Sequence, residues 1–170
     1  MAFSHCFLKG SVVKKLISRE KYQAIHELIQ RAPIFTKIHN LNEFEEAVFE
    51  REKLQTTSMG RGVAVAHGRI KNLGKVITAL GISREGIDFD AIDGKPVHFL
   101  FIIATDINNR DEYLKVLASI IRSIRDESMR HAILSSCARN TSQNEIEKAM
   151  RESFFNSLNT LSASRKATVA

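Results

Sequence analysis

Val97-His98-Phe99-Leu100-Phe101-Ile102-Ile103-Ala104 is the most hydrophobic stretch of the chain. Short and rich in Phe and Ile, it reads as the central strand of a sheet covered on both faces. The turn Asp93-Gly94-Lys95-Pro96 precedes it. Before that turn, Val76 to Ile82 is β-branched, bounded by Gly74 and Gly81, and reads as another buried strand. On the far side, Thr105 to Asn109 is polar loop, and Asp111 opens an amphipathic helix with Leu114, Leu117, Ile121 and Ile124 at helical spacing.

Further out, Ser18 is a candidate cap for a helix ending near Arg31, with Tyr22, Ile25 and Ile29 on one stripe and Ala24 and Leu28 beside it, closed by Pro33. Asn42 with Glu45 forms a capping-box pattern, Leu41 is placed to staple onto it, and the helix presents Phe44, Ala47 and Val48 and delivers Arg51 near its end. Ser142 with Glu145 repeats the pattern ahead of Ile146, Ala149, Met150 and Phe154. Residues 1–17 are compatible with strand or helix. The alternation predicts an α/β fold, a mixed, partly parallel sheet flanked by helices on both faces, with a hairpin at Asp93-Gly94. Residues 1–155 form one domain in this reading, and 156–170 a polar, frayed tail.

A chain of 170 residues that is 44% hydrophobic and 26% charged fits one domain with a real core. Its net charge of +6 is dispersed among acidic residues, and no nucleic-acid-binding motif accompanies it. Nucleic acid is therefore not an expected partner. Cys6 and Cys137 lack the spacing of a disulfide framework or zinc site, which fits a reducing cytoplasm. Met1-Ala2-Phe3-Ser4-His5-Cys6 has no leader pattern, and no apolar run is long enough to span a bilayer, so direct membrane insertion is not expected.

The chemistry concentrates in Thr57-Ser58-Met59-Gly60-Arg61-Gly62-Val63-Ala64-Val65-Ala66-His67-Gly68-Arg69. It reads as a glycine loop, a short strand and a histidine at the strand end. Gly60-x-Gly62 precedes a strand where a dinucleotide fingerprint follows one, no P-loop is completed, and Ser58 lacks a nucleophile-elbow context. His5, His26, His39, His98 and His131 show no metal-ligand spacing. A lone histidine after a strand is more often structural than catalytic. The flanking glycines and the guanidinium of Arg69 add modest weight to a functional reading, with an anion on the imidazole. For a phosphoryl acceptor, a neutral ring nitrogen attacks phosphorus in line while Arg51, Arg69 and glycine-flanked N–H groups hold the oxygens, without metal or cofactor.

This segment resembles the Thr-x-x-Gly-x-Gly-(Val/Ile)-Ala-(Ile/Val)-Pro-His-Gly signature of enzyme IIA of the bacterial sugar phosphotransferase system, in its fructose/mannitol/nitrogen-regulatory class. Arg51-Glu52-Lys53-Leu54, sixteen residues before His67, is similar to the family's Arg-Glu segment. Phe89-Asp90-Ala91-Ile92-Asp93-Gly94-Lys95-Pro96-Val97 resembles Phe-Asp-Ala-Ile-Asp-x-x-Pro-Val, and Tyr113-Leu114-x-x-Leu117 falls where the family has His-Leu-x-x-Leu. The likeness runs from about residue 12 to 152. It implies that His67 is phosphorylated, that Arg51 lies beside it, and that Thr57, Gly60, Gly62, Gly68 and Arg69 help bind phosphate.

Two departures stand out. Tyr113 replaces a second active-site histidine, and a phenol donates a hydrogen bond but carries no positive charge near neutral pH. Ala66 replaces the proline before the histidine, which frees Val65 from the restriction a proline imposes. The resemblance implies a donor that is an HPr-like phosphohistidine carrier, and an acceptor or target that is a IIB domain, a regulated kinase or a channel. One domain without a fused IIB or IIC unit favours the regulatory, nitrogen-regulatory version over sugar transport. A non-catalytic binding module on the same fold, with Met59, Val65 and Ile70 as a docking rim, is the alternative.

Overall fold

The computed structural model describes residues 8–168. The leader reading of the first six residues, with His5 and Cys6, lies outside them. Five strands form one sheet in the order β1-β4-β5-β3-β2. They are β1 (Val12–Val13), β2 (Ser58–Gly60), β3 (Val63–Ile70), β4 (Ile77–Ile87) and β5 (Val97–Asp106). β5 is central, antiparallel to β4 and parallel to β3, as its hydrophobic run predicts. β1 joins β4 in parallel, and β2 is a short antiparallel edge on the start of β3. The β4–β5 hairpin turns at Asp93 and Gly94, where Asp93 accepts N–H bonds from Arg61 at 2.8 Å and Lys95 at 3.2 Å. Those donors hold the Asp93 carboxyl below its usual range.

Helices cover both faces. On one lie α1 (Lys21–Arg31), a 3₁₀ turn (Pro33–Lys37) and α2 (Leu41–Leu54), packing Ile25, Leu28, Phe35, Phe44 and Val48 against Ala64, Ala66, Leu100 and Ile102. On the other lie α3 (Arg110–Ile124), α4 (Glu127–Ala138) and α5 (Gln143–Thr168), packing Tyr113, Val116, Ile120, Ile146 and Met150 against Val63, Val65, Phe99, Phe101 and Ile103. The period-2 alternation of β5 thus feeds two cores at once.

Several boundaries differ from the sequence reading. Ser18 does not cap α1. Glu20 occupies that position without a side-chain bond, and the Ser18 N–H donates instead to Glu27 at 2.7 Å. The α2 box is formed by Asn40 and Glu43, two residues before the predicted pair, with Leu41 inside the helix. Gly81 does not end a strand but lies within β4, because Leu16 packs where a Cβ would stand, 2.5 Å away. The buried stripe of α3 is Tyr113, Val116, Ile120 and Ile124, one position before most of the predicted one, and Leu114 is exposed. Ser142 and Glu145 do bond reciprocally ahead of α5. In that helix Ala149 is exposed while Glu147 is buried, its Oε1 accepting the Ser11 N–H at 2.6 Å. The helix also continues through Asn156 to Thr168. No helix among the described residues is long and apolar enough to cross a membrane.

Candidate functional site

β3 sorts its side chains by parity. Ala64, Ala66, Gly68 and Ile70 enter the α1/α2 core, while Val63 and Val65 enter the α3/α5 core. The same parity directs His67 and Arg69 to the α3 side, where the core thins: His67 is half-buried and Arg69 exposed. β2 pairs only with the start of β3, so beside His67 the strand neighbour is β5, with His67 opposite Ile103. His67 is not at the strand end as the sequence implies. β3 runs on to Ile70, since Gly68, Arg69 and Ile70 remain in register with Ala104, Thr105 and Asp106.

Tyr113, in the first turn of α3, lays its ring against His67, with centroids 5.2 Å apart at 44°. Burial pushes the His67 imidazole down to about 4, helped by Arg51 and then Arg69, with the Val65 backbone opposing. Burial raises the Tyr113 phenol, and the same two guanidiniums pull it back. Two arginines therefore act on both rings, one from β3 itself and one from α2 on the other face of the sheet. At neutral pH the site holds an uncharged imidazole and an uncharged phenol within a cationic field. His67 Nδ1 is shut from solvent without a hydrogen-bond partner, which leaves Nε2 as the ring nitrogen toward the open side.

Gly68 lets the helix that carries Arg51 lie close on β3. A Cβ there would stand 2.8 Å from Val48 Cγ2 and 3.0 Å from Phe44 Cε2, so its absence lets α2 press onto β3. Arg51 follows Val48 by one turn, and its Nη1 donates to the Gln55 carbonyl at 3.1 Å. Thr57 sits beside the strand, its carbonyl accepting the Val65 N–H at 3.1 Å.

Gly60 and Gly62, by contrast, are not brought to His67. They make the β2–β3 turn with φ of +74° and +77°, against Asp93 and His98. At about 3.3 Å per residue, Gly62 lies roughly 16 Å along the strand from His67. Their conformational freedom serves the hairpin. The sequence reading quoted Glu52 within the Arg-Glu segment but gave it no role. It is 2% exposed and accepts from Thr57 N at 3.0 and 3.2 Å and from Thr57 Oγ1 at 2.6 Å. No group of histidine, cysteine or acidic residues able to hold a metal occurs among the described residues.

A mixed sheet covered on both faces by helices holds a half-buried histidine against a phenol ring and under the influence of two guanidiniums, and comparison with known proteins gives the family. Residues 6–149 match the model described as phosphoenolpyruvate-dependent sugar phosphotransferase system, EIIA 2, and the chain belongs to that family. It is similar to a nitrogen regulatory protein of Bradyrhizobium diazoefficiens, 35% identical over 70% of this chain and 77% of that one. A fructose-specific EIIABC component of Bacillus subtilis is 25% identical over 79% of this chain, which spans only 21% of that protein. Among solved structures, nitrogen regulatory protein IIA-Ntr from Neisseria meningitidis superposes with a TM-score of 0.64 at 28% identity, covering 83% of this chain and 93% of that one.

Proposed function

We propose that this chain is a phosphocarrier in which Nε2 of His67 accepts a phosphoryl group from the phosphohistidine of an HPr-like donor. The reading is carried by one observation: His67 stands half-buried on the α3 side of β3 with the Tyr113 ring 5.2 Å from its own, and burial, Arg51 and Arg69 lower its basicity there. The lone pair of Nε2 forms the new N–P bond as the donor's N–P bond breaks, and the buried Nδ1 keeps the ring proton. Arg51 and Arg69 neutralise the oxygens of the transferring group, and the Tyr113 phenol, uncharged, donates one hydrogen bond. Transfer onward reverses these steps. The guanidiniums that make the free imidazole a poor base make its dianionic product stable, which suits a carrier that must hold phosphate before passing it on.

The acceptor we propose is a IIB-type domain, in keeping with the A, B and C units joined in the name of the Bacillus relative. Kinship with nitrogen regulatory proteins supports a signalling use of the same phosphorylation. Ile107, just before α3, and Leu114, next to Tyr113 in that helix, are exposed at 51% and 47%, whereas Met59 lies on β2 away from His67. Val65 and Ile70 belong to the cores and offer no rim.

Labelled phosphate from phosphoenolpyruvate, passed through the general phosphotransferase proteins, tests the proposal. Acid-labile label should appear in the wild type and vanish in His67→Ala. An unlabelled wild type, with every carrier of the native cell supplied, overturns it in favour of the binding module.

A further inference from the structure

We propose that Glu52 is a positioning residue of this site, a buried carboxylate that sets where Arg51 stands relative to His67; the inference rests on the phosphocarrier reading. A carboxyl withdrawn from water is strongly unfavourable unless its oxygens are satisfied. The Glu52 side chain is fully buried, and what satisfies it leads toward the site. Thr57 donates its N–H to both oxygens and its hydroxyl to Oε2. Lys21 Nζ stands 3.6 Å from Oε1 and is itself held by Asp90 at 2.7 Å.

Each end of this arrangement touches the phosphoryl chemistry. On the helix side, Glu52 follows Arg51 directly, in the last turns of α2, where the Arg51 guanidinium is tied to the Gln55 carbonyl. On the sheet side, the Thr57 carbonyl accepts the N–H of Val65, two residues before His67. One carboxylate thus clamps the end of the arginine's helix to the segment that pairs with the histidine's strand. Gly68 sets how closely α2 approaches the sheet, and Glu52 sets the position of its end. A displacement of about 1 Å between a reacting group and its electrostatic partner costs up to about a hundredfold in rate.

A purely stabilising role and a positioning role predict opposite signs at His67. Deleting the Glu52 charge while Arg51 stays in place removes an anion from the neighbourhood, so the His67 midpoint holds or falls. Releasing Arg51 removes a cation, so the midpoint rises from about 4 toward 6.5. The test is titration of the His67 imidazole by NMR in wild type, Glu52→Ala and Glu52→Gln, with the phosphate-labelling rate of each. The expected result is a raised midpoint in Glu52→Ala with labelling about tenfold slower. Glu52→Gln, which still accepts the Thr57 N–H, falls between it and wild type. If Glu52→Ala does not fold, as judged by near-UV circular dichroism, the Gln variant decides alone. A folded variant whose midpoint is unchanged or lowered overturns the proposal, whatever its labelling rate. Failure of wild type to take label overturns the phosphocarrier reading instead, and the titration still tells whether Glu52 positions Arg51.

Discussion

At the level of single residues, burial, Arg51 and Arg69 keep the His67 imidazole a weak base. Arg51 depresses the His67 midpoint more than Arg69 does. Arg51→Ala is therefore expected to raise that midpoint further than Arg69→Ala, by NMR titration, and equal shifts would refute the ordering. Tyr113→Phe removes a single donor and keeps the ring packing of 5.2 Å. A lost hydrogen bond of about 0.5–1.5 kcal/mol predicts labelling roughly two- to tenfold slower, with the His67 midpoint unmoved. Tyr113→His, which adds a ring able to share a proton, should label faster than wild type. The His67, Arg51 and Tyr113 cluster was legible because the resemblance fixes each by motif and spacing. Glu52 was quoted only as part of the Arg-Glu segment and given no role, because its position in that segment says nothing of its burial. Thr57 and Lys21 satisfy its buried carboxylate, and Lys21 comes from another helix, outside any local pattern.

Among the elements, the contact that matters most for the site is α2 on β3. Gly68→Ala places a methyl against Val48 and Phe44, both fully buried and unable to yield freely. Overpacking of this kind costs about 1–3 kcal/mol, and thermal melting should show a loss of several degrees. The same substitution should slow phosphate labelling, since lifting α2 carries Arg51 away from His67. A melting loss with unchanged labelling would show that Arg51 does not depend on this packing. The elements themselves were largely visible in the hydrophobic pattern, with errors that have physical causes. In α3, Ser119 and Ser123 face the core, so an apolar-only stripe misplaces the buried face by one residue. Asn40 outcompetes Asn42 as a cap because its carbonyl oxygen reaches the Glu43 N–H at 3.1 Å, a bond that depends on where the preceding chain leaves the 3₁₀ turn.

For the whole molecule, helices on both faces follow from alternating elements, whereas strand order depends on which distant segments pair. Nothing local in Val12-Val13 announces a partner in Leu80 and Gly81. The tertiary placement of His67 has a consequence for global stability. Its midpoint is near 6.5 when unfolded and about 4 when folded, so between those values the unfolded chain binds more protons. Stability therefore rises as pH increases from about 4 to 6.5, and acid weakens the fold as the unfolded imidazole charges. At 1.36 kcal/mol per unit the full shift corresponds to roughly 3 kcal/mol, which solvent screening of a half-buried ring reduces to about 1–2. The carboxyls of Glu27, Asp93 and Asp106 are lowered by their donors, and their contribution is lost in more acid solution, as pH falls through their depressed folded-state values. The two windows separate in a comparison of wild type with His67→Ala, each unfolded in urea at steps from pH 4 to 8. Wild type should lose about 1–2 kcal/mol more than the variant between pH 6.5 and 4. Parallel curves would mean that the imidazole in the folded protein titrates as freely as in the unfolded chain, and would refute its depression by burial and by the two guanidiniums.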